Sequence, residues 1–169
     1  MHSPLEIARN FAEIAFHKVK LSAWKMLILG AFAGCFIGFA GVASTTASAT
    51  VANPSVGRLL SACVFPAGMA MVLVAGSELF TGNNLIIIGV LQKTVKVREM
   101  LKNWLFVFLG NFIGASFVAL LVVYGHTPDL FGGALAEKMV AAAQVRVEQT
   151  FPEAFIRGIL CNILVCIAM

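Results

Sequence analysis

Five polar side chains, Ser77, Glu78, Thr81, Asn83 and Asn84, fall between or beside Gly76 and Gly82, inside an otherwise apolar run from Leu59 to Leu91. Glu78 is the only charge in that run. A lone carboxylate without a partner acid, base or metal is poor equipment for general acid–base work. The three histidines (His2, His17, His126) lie outside the apolar segments, and no Ser/His/Asp or Cys/His grouping stands near Glu78. The four cysteines, Cys35, Cys63, Cys161 and Cys166, all sit in apolar segments without a CxxC spacing. Zinc and a disulfide framework are therefore not indicated, and neither an enzyme nor a cofactor is expected. The remaining chemistry is recognition. Thr81 offers a hydroxyl, Asn83 and Asn84 offer amides, and a helix resuming here presents free N–H groups and the positive end of its dipole. Such a place suits a small anion or a neutral acid. Glu78 either holds the loop by accepting from its backbone, the preferred reading, or meets the permeant species directly.

A straight helix from Leu59 to Leu91 would be about 50 Å long, against a hydrocarbon core of about 30 Å. The crossing must break, and the polar patch with Gly76 and Gly82 is where tight backbone geometry is available. Irregular backbone at membrane depth survives where protein or a water-lined cavity satisfies it, and an acid there marks a functional site.

The rest of the chain supports a membrane-embedded, all-α reading. Of 169 residues, 60% are hydrophobic and 12% charged, about half the charge of a soluble domain. Residues 1–25 read as an amphipathic helix on the cytoplasmic surface, with Leu5, Ala8, Phe11, Ala12, Ala15, Phe16 and Val19 on one face. Ser3-Pro4 supplies its cap and first-turn proline. A transmembrane domain follows over 26–169. Its spans are expected near 26–49, 57–76 with a half-helix at 83–92, 104–124, and an incomplete one at 153–169. Gly30, Gly34 and Gly38, and then Gly110 and Gly114, are small-residue rows that let helices approach closely. They serve packing within the chain or contact between subunits. Asn53-Pro54-Ser55 reads as a turn leading into the second span.

Charge placement gives orientation. Lys and Arg exceed Asp and Glu by two before the first span and by three between the second and third (Lys93, Lys96, Arg98 and Lys102 against Glu99). Positive segments stay cytoplasmic, so the N-terminus is expected inside the cell membrane and residues 125–153 outside. The net charge of +4 is too small to suggest nucleic acid. Gly158 to the end gives only about 18 Å of apolar helix, so the chain reads as truncated within span four, the leading part of a longer protein. Gly158, Asn162 and Cys166 repeat the first span's spacing of small residues.

Two stretches resemble the signatures of the formate/nitrite transporter family. The first is Leu73-Val74-Ala75-Gly76-Ser77-Glu78-Leu79-Phe80-Thr81-Gly82. The second is Gly158-Ile159-Leu160-Cys161-Asn162-Ile163-Leu164-Val165-Cys166-Ile167-Ala168, with Ile167 in place of the more usual Leu or Val. The resemblance covers nearly all of the chain. It implies an aquaporin-like bundle of six spans, an interrupted second helix, a homopentamer with one pore per subunit, and passage of small monovalent anions such as formate, nitrite, lactate or hydrosulfide. By the same resemblance Thr81 marks the pore centre beside Leu79 and Phe80. Phe65 and Met69 match hydrophobic constrictions, Asn162 and Val165 match pore-lining positions, and Arg146 matches a vestibule lysine. Arginine keeps the attraction for anions but does not give up its proton. The family's central histidine belongs to a fifth span, beyond Met169.

The implied mechanism is capture by a basic vestibule, exclusion of bare charge by apolar rings, and passage as the neutral acid. A neutral-solute channel for urea, ammonia or water is the alternative that the residues alone leave open.

Overall fold

The computed structural model describes residues 3–168; His2 and the outermost residues of the expected 1–25 helix and 153–169 span lie outside that range. Helix α1 (Pro4–Lys20) begins with a capping box: the Ser3 hydroxyl accepts from the Glu6 amide, and the Glu6 carboxylate accepts from Ser3 N–H at 2.6 Å. The chain turns at Leu21-Ser22, and the Ser22 hydroxyl caps α2 (Ala23–Ser48). The expected single segment 1–25 thus ends five residues early, because Ser22 starts the first span instead.

The apolar stripe of α1 does not wait for lipid. Ala15 and Val19 are buried against Ile86, Val95 and Met100, with Val90 and Trp104 packed around them. Leu5, Ile7 and Ile14 stay exposed.

After α2, Asn53 accepts from the amides of Ser55 and Val56 and opens α3 (Pro54–Val64) with proline in the first turn. A proline step at Pro66 leads into α4 (Pro66–Val74), and the chain then leaves helical geometry. Two short helices follow, α5 (Phe80–Asn83) and α6 (Ile86–Leu91), where a single half-helix at 83–92 was expected. Helical geometry resumes earlier than the polar composition suggested because Asn111 takes up the Phe80 amide. The next span also starts early: α7 is Val97–Tyr124, its first turn closed by Glu99 accepting from Lys96 N–H. A 3-10 segment (Thr127–Gly133), α8 (Ala134–Val147) and α9 (Phe151–Ala168) complete the described chain.

The frame is the pair α2 and α7. A Cβ added at Gly110 would stand 2.5 Å from the Leu27 carbonyl oxygen, and one at Gly30 would stand 2.9 Å from that of Val107. Both are closer than real side chains tolerate, so the two glycine rows serve packing within the chain. Among the described residues, four helical stretches are long and apolar enough to cross a membrane: Ala23–Ser48, Pro54–Val74, Val97–Tyr124 and Phe151–Ala168. A shorter apolar stretch, Phe80–Leu91, follows the break in the second of these.

Candidate functional site

The break occupies residues 76–79, and Gly76 takes φ +62°, a conformation open to glycine at no steric cost. Gly82, paired with it in sequence, is instead buried inside the helical turn of α5. The irregular backbone is satisfied by protein. Ser77 N–H donates to Val72 C=O, and Glu78 N–H donates to Leu29 C=O of α2. Asn111 of α7 works from both ends of its amide: its Nδ2 donates to Glu78 C=O at 2.9 Å and to Gly30 C=O at 2.8 Å, while its Oδ1 accepts from Phe80 N–H at 2.9 Å.

The Glu78 carboxylate is 5% exposed and turns away from the break toward α1. Lys18 Nζ lies 2.8 and 2.9 Å from its two oxygens and donates a third bond, at 2.9 Å, to Asn83 Oδ1. Asn83 Nδ2 donates back to Glu78 at 2.7 Å and on to Asn103 Oδ1 of α7 at 2.8 Å. Trp104 Nε1 closes the group on Asn83 C=O. An ammonium has three N–H donors, and all three of Lys18's are spent. The ion pair is a latch that fixes α1, the break and α7 to one another.

Thr81 is placed differently. It sits half-buried in the first turn of α5, and among the described residues its hydroxyl has no hydrogen-bond partner. Its carbonyl faces α9, where Cys166 Sγ approaches to 3.6 Å. One turn earlier on α9, Asn162 Oδ1 accepts from Asn84 Nδ2 and its own Nδ2 donates to Gly158 C=O. The Gly158/Asn162/Cys166 face is thus the one α9 turns to α5, with Val165 half-buried beside it. Phe80 packs edge-on against Trp104 and Phe108, at 6.1 and 5.5 Å between ring centres. Leu79 and Met69 are half-buried, whereas Phe65 is exposed.

A cavity of about 300 Å³ opens beside the latch, walled by Phe11, Ile14, Leu73 and Leu85 with Lys18 and Glu78 at its edge. A second basin, of about 510 Å³, lies between α3, α8 and the start of α9. Arg146 lines it, joined by Arg58, Lys138 and Arg157, which the sequence did not single out.

Lys18, Asn103 and Asn111 were also missed. The signal was present: Asn103 and Asn111 share a face of α7 with Val107, two amides in a helix that carries no charge after Lys102. Lys18 follows the buried Ala15 by three residues, at the margin of the apolar stripe rather than opposite it.

The sequence profile of the formate/nitrite transporter family matches residues 5–169. The chain belongs to that family. Within it, the chain is 34% identical to the formate channel FocA of Haemophilus influenzae over 170 residues, covering 99% of this chain and 60% of that protein. It is 33% identical to the formate channel BtFdhC of Bacillus thuringiensis, covering 99% of this chain and 65% of that protein. The chain therefore spans less than two thirds of the length of these relatives. A solved FNT family ion channel superposes with a TM-score of 0.68 at 30% identity, over 72% of this chain and 50% of that one. As a formate/nitrite transporter family member, the chain comes from a group of membrane transporters rather than enzymes. Its helical architecture is similar to that of a solved channel of that group over 72% of this chain.

Proposed function

We propose that this chain forms part of a pore that passes small monovalent anions of the formate/nitrite class, one pore per subunit of a homopentamer in the cell membrane, with the N-terminus cytoplasmic. The observation that carries the reading is the Thr81 hydroxyl. It stands at the interruption of an apolar crossing, half-buried, while the polar groups around it are paired with one another. A hydroxyl both donates and accepts, so it serves a carboxylate and its protonated acid alike. Arg146 and its neighbours gather anions at one mouth. Phe65, Met69, Leu79 and Phe80 oppose a bare ion, because stripping its water is costly, and Asn162 and Val165 line the wall of α9. Proton-linked passage as the neutral acid follows from that opposition. Glu78 and Gly76 hold the break, and Gly82 lets α5 pack closely.

The test is uptake of labelled formate and of labelled urea into vesicles carrying the protein, at two external pH values. Formate uptake stimulated by external acid, without urea uptake, is expected. Urea uptake independent of pH would overturn the reading in favour of a neutral-solute channel.

A further inference from the structure

The basin between α3, α8 and α9 is more basic than the capture of a permeant monoanion requires. Arg58, Lys138, Arg146 and Arg157 line it, and no carboxylate does. Lys138 spends one of its three N–H donors on the Ser48 carbonyl at the end of α2. Among the described residues none of the three arginines has a carboxylate within ion-pair distance. The acids nearest in sequence spend their hydrogen bonds on other partners, although Glu153, one turn before Arg157, feels the charge of that guanidinium. Glu148 accepts from Gln144 Nε2, and Glu153 accepts from the amide and hydroxyl of Thr150. The basin's serines are engaged too, because the Ser61 hydroxyl lies within hydrogen-bond distance of Ser44 C=O and Ser48 Oγ, and the Ser48 hydroxyl donates within its own helix.

Three guanidiniums without an ion-pair contact among the described residues, facing one cavity, form a particular kind of receptor. Each presents a planar fork that meets two oxygens at once. A monoanion with two oxygens satisfies one fork and leaves the other two uncompensated. A tetrahedral phosphate group offers more oxygens, and as a dianion more charge. The cavity, about 510 Å³, is in the size range of small-molecule sites, and Val51, Pro54 and Val145 give it an apolar wall.

We propose that this basin is a binding site for a phosphate group, selective for it over the monoanions of the conduit. The proposal goes beyond the conduit reading, which uses Arg146 only to gather a permeant, and it stands or falls without any flux. A phosphate seated here cancels the charge that draws monoanions to this mouth, so it acts as an antagonist of their collection. The phosphate comes either from solution or from the headgroup of an anionic lipid.

Binding to the protein in an uncharged, phosphate-free detergent separates the sources. One arm titrates inorganic phosphate and, separately, formate by calorimetry at constant ionic strength. The other counts retained phosphatidylglycerol by native mass spectrometry. The expected result is saturable phosphate binding at least tenfold tighter than formate, weakened at least tenfold by Arg58→Gln or Arg157→Gln and severalfold by Arg58→Lys, which keeps the charge but loses the fork. Retention of phosphatidylglycerol that the Arg58→Gln/Arg157→Gln pair abolishes, without binding of free phosphate, supports the proposal with lipid as the source. Binding of neither, formate binding as tight as phosphate, or phosphate or lipid binding indifferent to the substitutions overturns it.

Discussion

Lys18 and the arginines of the basin are all cations beside cavities, yet they are built for opposite purposes. Lys18 meets a buried carboxylate with two of its N–H donors and the Asn83 amide oxygen with the third. Nothing on it is left to offer a passing anion. Arg58, Arg146 and Arg157 face their cavity without a carboxylate partner among the described residues. Position near a mouth does not make a charge a collector of ions; the partners it already has decide. On this comparison the Lys18 end of the molecule is structural and the arginine end is receptive.

The largest expected effect comes from breaking the latch. Removing one member of this pair leaves the other without its partner, and because the Lys18 side chain is 24% exposed the cost is about 3 kcal/mol, the low end for a buried pair. Glu78→Leu should therefore lower the denaturation midpoint sharply in detergent, and adding Lys18→Met should recover much of the loss. Arg58→Gln in the same assay should stay within about 0.5 kcal/mol of the parent; a comparable loss there would erase the distinction.

Next in size is the frame that carries both regions. Gly110→Val forces side-chain atoms against the Leu27 carbonyl and should cost about 1–3 kcal/mol, as overpacking does, by the same measurement.

The receptive end should then answer to salt. Formate uptake at low ionic strength should fall severalfold in Arg146→Gln, and the difference should fade as salt shortens the Debye length to about 3 Å at 1 M. A difference that persists in salt would point to a contact role rather than collection.

The smallest effect concerns the start of α1. The Ser3 N–H and hydroxyl hold the Glu6 carboxyl below its ordinary range. A depressed folded-state value means stabilisation that is present above the unfolded value and lost as pH falls through the folded one. Amide protection at the first turn of α1, corrected for the intrinsic pH dependence of exchange, should fall in acid; Ser3→Ala should weaken that dependence and Glu6→Gln should remove it.

Much of this was legible in the chain. The apolar run too long for one crossing announced the break, and Gly76, the Asn53 cap and the two glycine rows took the roles that their chemistry suggests. The boundaries near the break were not legible, since α5 starts at Phe80 only because Asn111, thirty-one residues on, accepts its amide. The partner of Glu78 was hidden for the same reason. Local pattern sets Lys18 at the margin of the apolar stripe without naming its partner, and only the docking of α1 on α6 brings it to the carboxylate. The arginine basin likewise collects residues from three helices that sequence spacing does not relate.

The central claim is that the interrupted crossing turns the Thr81 hydroxyl toward a passage for small weak acids. It is tested most directly by formate uptake into vesicles by Thr81→Val and Thr81→Ser, at equal amounts of folded protein. The account predicts that valine, of nearly the same shape but without the hydroxyl, loses at least tenfold in rate while serine retains most of it. Uptake by the valine variant equal to that of the parent would contradict it.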